Sequence, residues 1–280
     1  MSRIAHLIQN KNTKPESILA LTFTNDAAHN LKKKLSNKIG SEGQNISACT
    51  FHSFAQSITF KYYKELGFSA TPSIISKADT FYLLRGKFNE FENINSRLFS
   101  LNPILAIESY QKVFDVFRQN LFYEKDLINI YNKKFNNIEK FNDDEKEQIL
   151  QLFDIITAYP YYQKWKKELN WIDYSDLIIN LWYLICSEKN ILNELQIRYK
   201  HIVIDEFQDN NYALSSIVEK IAKPDNSITV VGDDDQCIYA FRQANIQNIY
   251  EFRKKYLDHD NMTINLLQNY RSNQPILSLA

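Results

Sequence analysis

Short apolar runs recur in two stretches of the chain, and each run ends in polar residues. ILALTF (18–23), ISACTF (46–51), HIVID (201–205), SITVVGD (227–233) and TINLLQ (263–268) read as buried strands by their length and flanks. Between them the period lengthens to that of a helix. Residues 1–10 place Ile4, Leu7 and Ile8 on one face, and 26–39 open with Asp26 and stop at Gly40. From His52, the positions Phe54, Ile58, Tyr62 and Leu66 continue a helical stripe up to Gly67, and a further helix covers 173–186. Strand–helix alternation predicts a parallel α/β sheet covered on both faces. Residues 78–170 are different, being rich in Asn, Lys, Phe and Tyr at helical spacing. In 143–159, Ile149, Leu152, Phe153 and Ile156 form one apolar stripe behind an acidic first turn, and Pro160 should end or kink the helix. The pattern therefore predicts an all-helical block, 78–170, placed between two α/β segments, 1–77 and 171–280.

Ligands of such sheets sit beyond the carboxyl ends of the strands. The runs end in Thr24-Asn25, His52-Ser53, Asp205-Glu206, Asp233-Asp234 and Asn269-Tyr270-Arg271. Magnesium takes hard oxygen ligands and often needs only one carboxylate beside nucleotide phosphates. Adjacent acids at a strand end point in different directions, so one can meet a metal while the other orients a water. A solvated acidic turn is the competing reading of the same two residues. In VVGDDDQCIYAFR (230–242), Gln236 can hydrogen-bond a terminal phosphate without adding charge. Tyr239 and Phe241 beside Arg242 are the parts of a base-stacking platform, although core packing is the commoner fate of two such rings. In QNYRS (268–272), Tyr270 can stack on a purine and Arg271 can reach a γ-phosphate.

Composition narrows the classes. There are 33 basic and 33 acidic side chains, so any basic surface must be local. The three cysteines, Cys49, Cys186 and Cys237, are scattered, which argues against a disulfide framework or a zinc site and for a reducing compartment. No run is long and apolar enough for a transmembrane helix and no signal-peptide pattern opens the chain, so a cytoplasmic protein without membrane contact is expected.

These motifs together resemble the N-terminal part of a UvrD/Rep-type superfamily 1 DNA helicase. LTFTNDAA (21–28) is similar to the family's motif Ia, TFHSF (50–54) to motif Ib and IVIDEFQDNN (202–211) to the Walker B motif. VVGDDDQCIYAFR (230–242) resembles motif III, LLQNYRS (266–272) motif IV, and IDYSDLI (172–178) the aspartate-rich segment that follows the helical insertion. The order and spacing of the set are more specific than any one member. The resemblance implies a RecA-like sheet of the P-loop NTPase type with 78–170 as subdomain 1B, and an ATP- and Mg2+-dependent 3′–5′ helicase or translocase. It assigns magnesium to Asp205, water activation to Glu206, the γ-phosphate contact to Gln236, adenine stacking to Tyr270 and an arginine finger to Arg271. It places Phe23, Thr24, Asn25, Thr50, His52, Tyr239, Phe241 and Arg242 along single-stranded DNA, the partner being a single strand or a duplex/single-strand junction. Asp26, Cys237 and Ala240 depart from the usual residues and bear on DNA affinity more than on nucleotide chemistry.

A phosphate loop needs G-x-x-x-x-G-K-[ST]. None of Gly40, Gly43, Gly67, Gly86 and Gly232 fits it. A truncated product, a second polypeptide that supplies the loop and the second RecA-like domain, and a degenerate member that no longer hydrolyses ATP are the open explanations. The first is favoured because the reactive residue types persist. The loss should leave a gap in the sheet and exposed pairing edges. A non-hydrolysing single-strand DNA-binding or scaffold module, and a subunit of a helicase–nuclease or defence system, are the alternative functions.

Overall fold

The computed structural model describes residues 1–91, 102–136, 138–222, 226–236, 247–256, 263–266 and 268–270. In chain order the first elements are α1 (Ser2–Lys11), β1 (Ile18–Thr22), α2 (Asn25–Ile39), β2 (Ser47–Thr50), α3 (Phe51–Lys61) and β3 (Ser73–Ile74). The helical stretch follows with α4 (Lys77–Gly86), α5 (Pro103–Gln119), α6 (Glu124–Phe135) and α7 (Asp143–Glu168). The chain then returns through β4 (Trp171–Ile172), α8 (Asp176–Ser187), α9 (Lys189–Arg198), β5 (His201–Ile204), α10 (Tyr212–Ile221), β6 (Ser227–Val230) and α11 (Gln247–Tyr256).

The main sheet is parallel, in the order β2-β1-β5-β6. Its register aligns the strand ends: Thr22 lies opposite Thr50, Leu21 opposite Ile204, and Ile204 opposite Val230. Alternation along β1 explains its complete burial. Ile18 and Ala20 pack with Ile4, Leu7 and Ile8 of α1 and Leu35 of α2. Leu19 and Leu21 face the other way, into a core with Phe51 and Phe54 of α3, Leu181 of α8 and Ile217 of α10. A strand buried on both faces reads as a continuous apolar run, as ILALT does.

The helices of 77–168 close over a core of their own, rich in aromatic rings: Tyr110, Phe114, Phe117, Tyr131, Tyr159, Tyr162 and Trp165. Two chain crossings join this block to the sheet, and β3 and β4 strap them together as a short parallel pair. Asn170, at φ 52°, turns the chain between α7 and β4. Its side-chain carbonyl accepts from the backbone N–H of Ser69 at 3.0 Å and of Ala70 at 3.2 Å.

Four expectations need correction, the first of them in part. Of the two outcomes expected at Pro160, an end or a kink, the helix does not end there: α7 runs through it to Glu168. An internal proline costs about 3 kcal/mol, and each large side chain buried around it returns about 1.5–3 kcal/mol. Ile155, Ile156, Tyr159, Tyr162 and Trp165 are all buried here. Residues 263–266 and 268 form no strand; Ile264 is 65% and Leu266 86% exposed, so these two side chains pack on neither a sheet nor a helix face. The four strands pair without a gap, and β6 has β5 as its one neighbour among the described residues. α3 also stops at Lys61, and Gly67 (φ 77°) closes the turns that follow. Among the described residues, no helix is long and apolar enough to cross a membrane.

Candidate functional site

The register brings the strand-end residues to one edge. After β1, Thr22 donates from its hydroxyl to the Thr24 carbonyl at 3.0 Å, and Thr24 accepts from Ala27 N–H at 3.1 Å as the N-cap of α2. After β2, Thr50 plays the same part for α3 and accepts from Ser53 N–H at 3.1 Å. Two strands thus turn directly into capped helices on the same side. Phe23 is half-buried, Thr24 and Asn25 are exposed, and Thr50 is buried beneath them. His52 follows, with its imidazole against the ring of Tyr174, centroids 4.2 Å apart and planes 12° from parallel. Burial lowers the His52 pKa to about 4, so the ring is neutral at physiological pH. Tyr174 is 57% exposed and lies in the turn before α8. Sequence reading quoted its segment but gave it no role; an aromatic between two aspartates next to a strand was the available signal.

β5 delivers the acids. Asp205 N–H donates to the Leu21 carbonyl at 3.0 Å, one last ladder bond; both acids are exposed residues, with the Asp205 carboxyl partly covered. Glu206 sits at φ 53°, ψ 48°, the left-handed region. A non-glycine residue there costs roughly 1–2 kcal/mol, and such strain clusters at functional sites. The turn is held by Phe207 N–H donating to the Val231 carbonyl at 2.9 Å, which ties the acids to the segment after β6. Burial raises the Asp205 pKa, and the adjacent Glu206 charge raises it further. A cation placed there would relieve both, so this pair fits a hard divalent ion. The Met1 amine, just before α1, feels Asp205: burial lowers its pKa and the Asp205 charge raises it.

Glu206 and Gln236 are joined by a relay that sequence reading missed. The buried Gln208 donates to Glu206 Oε2 at 2.6 Å, while its Oε1 accepts from Asp233 N–H at 3.1 Å. Gln236 then donates to Asp233 Oδ2 at 2.6 Å. Gly232 makes the approach possible, because a Cβ there would stand 2.9 Å from Gln208 Oε1. The relay arises from a contact between two loops, which no local pattern records. Tyr270 is 92% exposed. Tyr239, Phe241, Arg242 and Arg271, with Cys237 and Ala240, lie outside the described residues. Among the described residues, no group of three or more His, Cys, Asp or Glu side chains converges as a metal cage.

Comparison with known proteins gives the family. The model of the UvrD/REP helicase N-terminal domain matches residues 1–257. The chain is 30% identical over 278 residues to the ATP-dependent DNA helicase PcrA of Staphylococcus aureus strain Mu50, covering 99% of this chain and 35% of that protein. It is 32% identical over the same length to the PcrA of Staphylococcus epidermidis strain ATCC 12228, with the same shares covered. The chain thus spans about a third of the length of the curated relatives it matches. Its parallel sheet, its strand-end acids and this match over most of its length place it in the UvrD/REP helicase family, in the N-terminal domain of that family.

Proposed function

We propose that this chain forms the nucleotide- and DNA-facing N-terminal portion of an ATP-dependent 3′–5′ DNA helicase or translocase. The observation that carries the proposal is the relay Glu206–Gln208–Asp233–Gln236, set at the same sheet edge as the stacked pair His52–Tyr174. It links a water-orienting carboxylate to a phosphate-sensing amide, and the edge also holds rings on which bases can stack. Asp205 holds magnesium, and Glu206 orients the attacking water. Gln236 contacts the terminal phosphate, Tyr270 stacks on adenine and Arg271 reaches the γ-phosphate. Magnesium, when bound, neutralises charge on the phosphates. Phe23, Thr24, Asn25, Thr50 and His52, with Tyr174, Tyr239, Phe241 and Arg242, line the single strand. Residues 1–77 and 171–280 act as one unit, and 78–170 acts as a subdomain inserted into it.

Nucleotide sensing and strand stacking share one rigid edge in this reading, so hydrolysis and DNA binding are coupled. Strand displacement by this chain, joined to a phosphate-loop segment and the second motor domain, tests it. The expected result is ATP-dependent unwinding of duplexes with a 3′ tail and not of those with a 5′ tail. Single-strand binding with no ATP hydrolysis in that assembly would instead favour the non-hydrolysing module.

A further inference from the structure

The turn that carries Tyr174 is built unlike its surroundings. Asp173 Oδ1 accepts from the backbone N–H of Ser175 at 2.9 Å and of Asp176 at 3.1 Å. Asp176 Oδ2 accepts in return from Asp173 N–H at 2.8 Å. The two aspartates therefore close a reciprocal ring around Tyr174. Their remaining oxygens are taken from below. Arg118 Nη1 reaches Asp173 Oδ2 at 2.6 Å and Asp176 Oδ1 at 3.0 Å. Lys166 Nζ donates to Asp173 Oδ2 at 2.9 Å and also pairs with Asp176. The Tyr162 hydroxyl donates to Asp173 Oδ2 at 2.7 Å. Arg118 Nη2 and Ser175 Oγ each donate to Asp115 Oδ1 at 2.7 Å.

Every cation in this cluster comes from the helical block: Arg118 from α5 and Lys166 from α7. Both are buried; Lys166 is 1% exposed. Burying four charges is costly, and replacing them with well-packed apolar side chains is often neutral or stabilising. Stability alone is therefore a poor reason for the cluster. What the geometry delivers is direction: with both aspartates tied down, the exposed Tyr174 ring is held flat against His52.

We infer that Arg118 and Lys166 are positioning residues for nucleic acid: from inside the helical block they fix the 173–176 turn, so that Tyr174 stacks on His52 as a preformed surface for a base. The inference rests on the DNA-track reading above. It makes the inserted helices part of the DNA site without their touching DNA.

The test uses the chain as it stands, with an NMR titration of His52 and binding of a fluorescent oligothymidine. Tyr174→Ala should uncover His52 and move its pKa from about 4 toward the ordinary value of about 6.5. Arg118→Lys keeps a charge but loses the planar guanidinium whose Nη1 bridges the two aspartates while its Nη2 holds Asp115, and it should move the His52 pKa in the same direction. Lys166→Met should do so too. Each variant should weaken oligothymidine binding about tenfold, near the low end for a lost base stack, and Arg118→Lys combined with Tyr174→Ala should lose no more than Tyr174→Ala alone. A core variant of the helical block, Ile156→Val, should lower thermal stability and leave the His52 pKa in place. A His52 pKa that moves in Tyr174→Ala but not in Arg118→Lys or Lys166→Met overturns the positioning role. A pKa that moves in all three, with oligothymidine affinity unchanged in Tyr174→Ala, overturns the DNA track instead.

Discussion

At the scale of single residues, the site depends on positions where the chain accepts a local cost. Glu206 occupies the left-handed region. Glycine enters that region freely, so Glu206→Gly should be more stable than Glu206→Ala by about 1 kcal/mol. Urea unfolding of the two variants checks this; equal stability would mean the turn carries no strain. Among the described residues, Gln208 joins the Glu206 carboxylate to the loop that carries Gln236. Gln208→Leu should break the relay, and the fold by which DNA stimulates hydrolysis should drop about tenfold with nucleotide affinity little changed. Asp205, Glu206 and Gln236 were legible in the sequence because each follows an apolar run at a strand end. Gln208 and Tyr174 were not, since each acquires its role from a partner far away in the chain.

At the scale of elements, local rules held where burial agreed with them and failed where it did not. β1, β2, β5 and β6 fall within the apolar runs that announced them, and Gly40 follows the last residue of α2. α7 continues through Pro160 because the rings on both sides of it are buried in one core. Pro160→Ala should therefore stabilise the protein by about 1–2 kcal/mol, the recovered helix geometry less the unfolded-state entropy that proline removes; thermal unfolding reads the shift. TINLLQ carries strand residues, yet a strand needs an edge, and its described residues pair with none.

The ion cluster belongs to this scale too, because it joins α5, α7 and α8. Burial alone would raise the Asp173 pKa, but Arg118 and Lys166 override it and hold the carboxyl well below the usual range. A depressed folded-state pKa stabilises the fold above the unfolded value of about 3.9, and that contribution is lost as pH falls through the folded value. Asp173→Asn should therefore flatten the loss of stability below about pH 4. At neutral pH it should also destabilise by about 3–5 kcal/mol, because two buried cations lose a partner. Unfolding curves across pH measure both effects, and an unchanged acid limb would remove Asp173 from this role.

At the scale of the whole molecule, the helical block and the sheet have separate cores but share one joint. That joint combines the β3–β4 strap, the Asn170 clamp and the buried ion cluster. Its ion cluster holds the two aspartates that flank Tyr174, so movement of the block would be felt at the stacked pair. Alternation of strands and helices made the α/β class visible early. The joint was invisible in the sequence, because Arg118 and Lys166 look like ordinary surface charges within amphipathic helices.

The central claim is that Glu206 orients the water that attacks ATP when DNA is bound. The direct measurement is DNA-stimulated ATP hydrolysis by this chain joined to a phosphate-loop segment and the second motor domain, with Glu206→Gln alongside. Hydrolysis stimulated by single-stranded DNA is predicted in the parent, with a loss of about 100-fold or more in the variant at unchanged nucleotide binding. Equal rates in the two proteins would contradict the account.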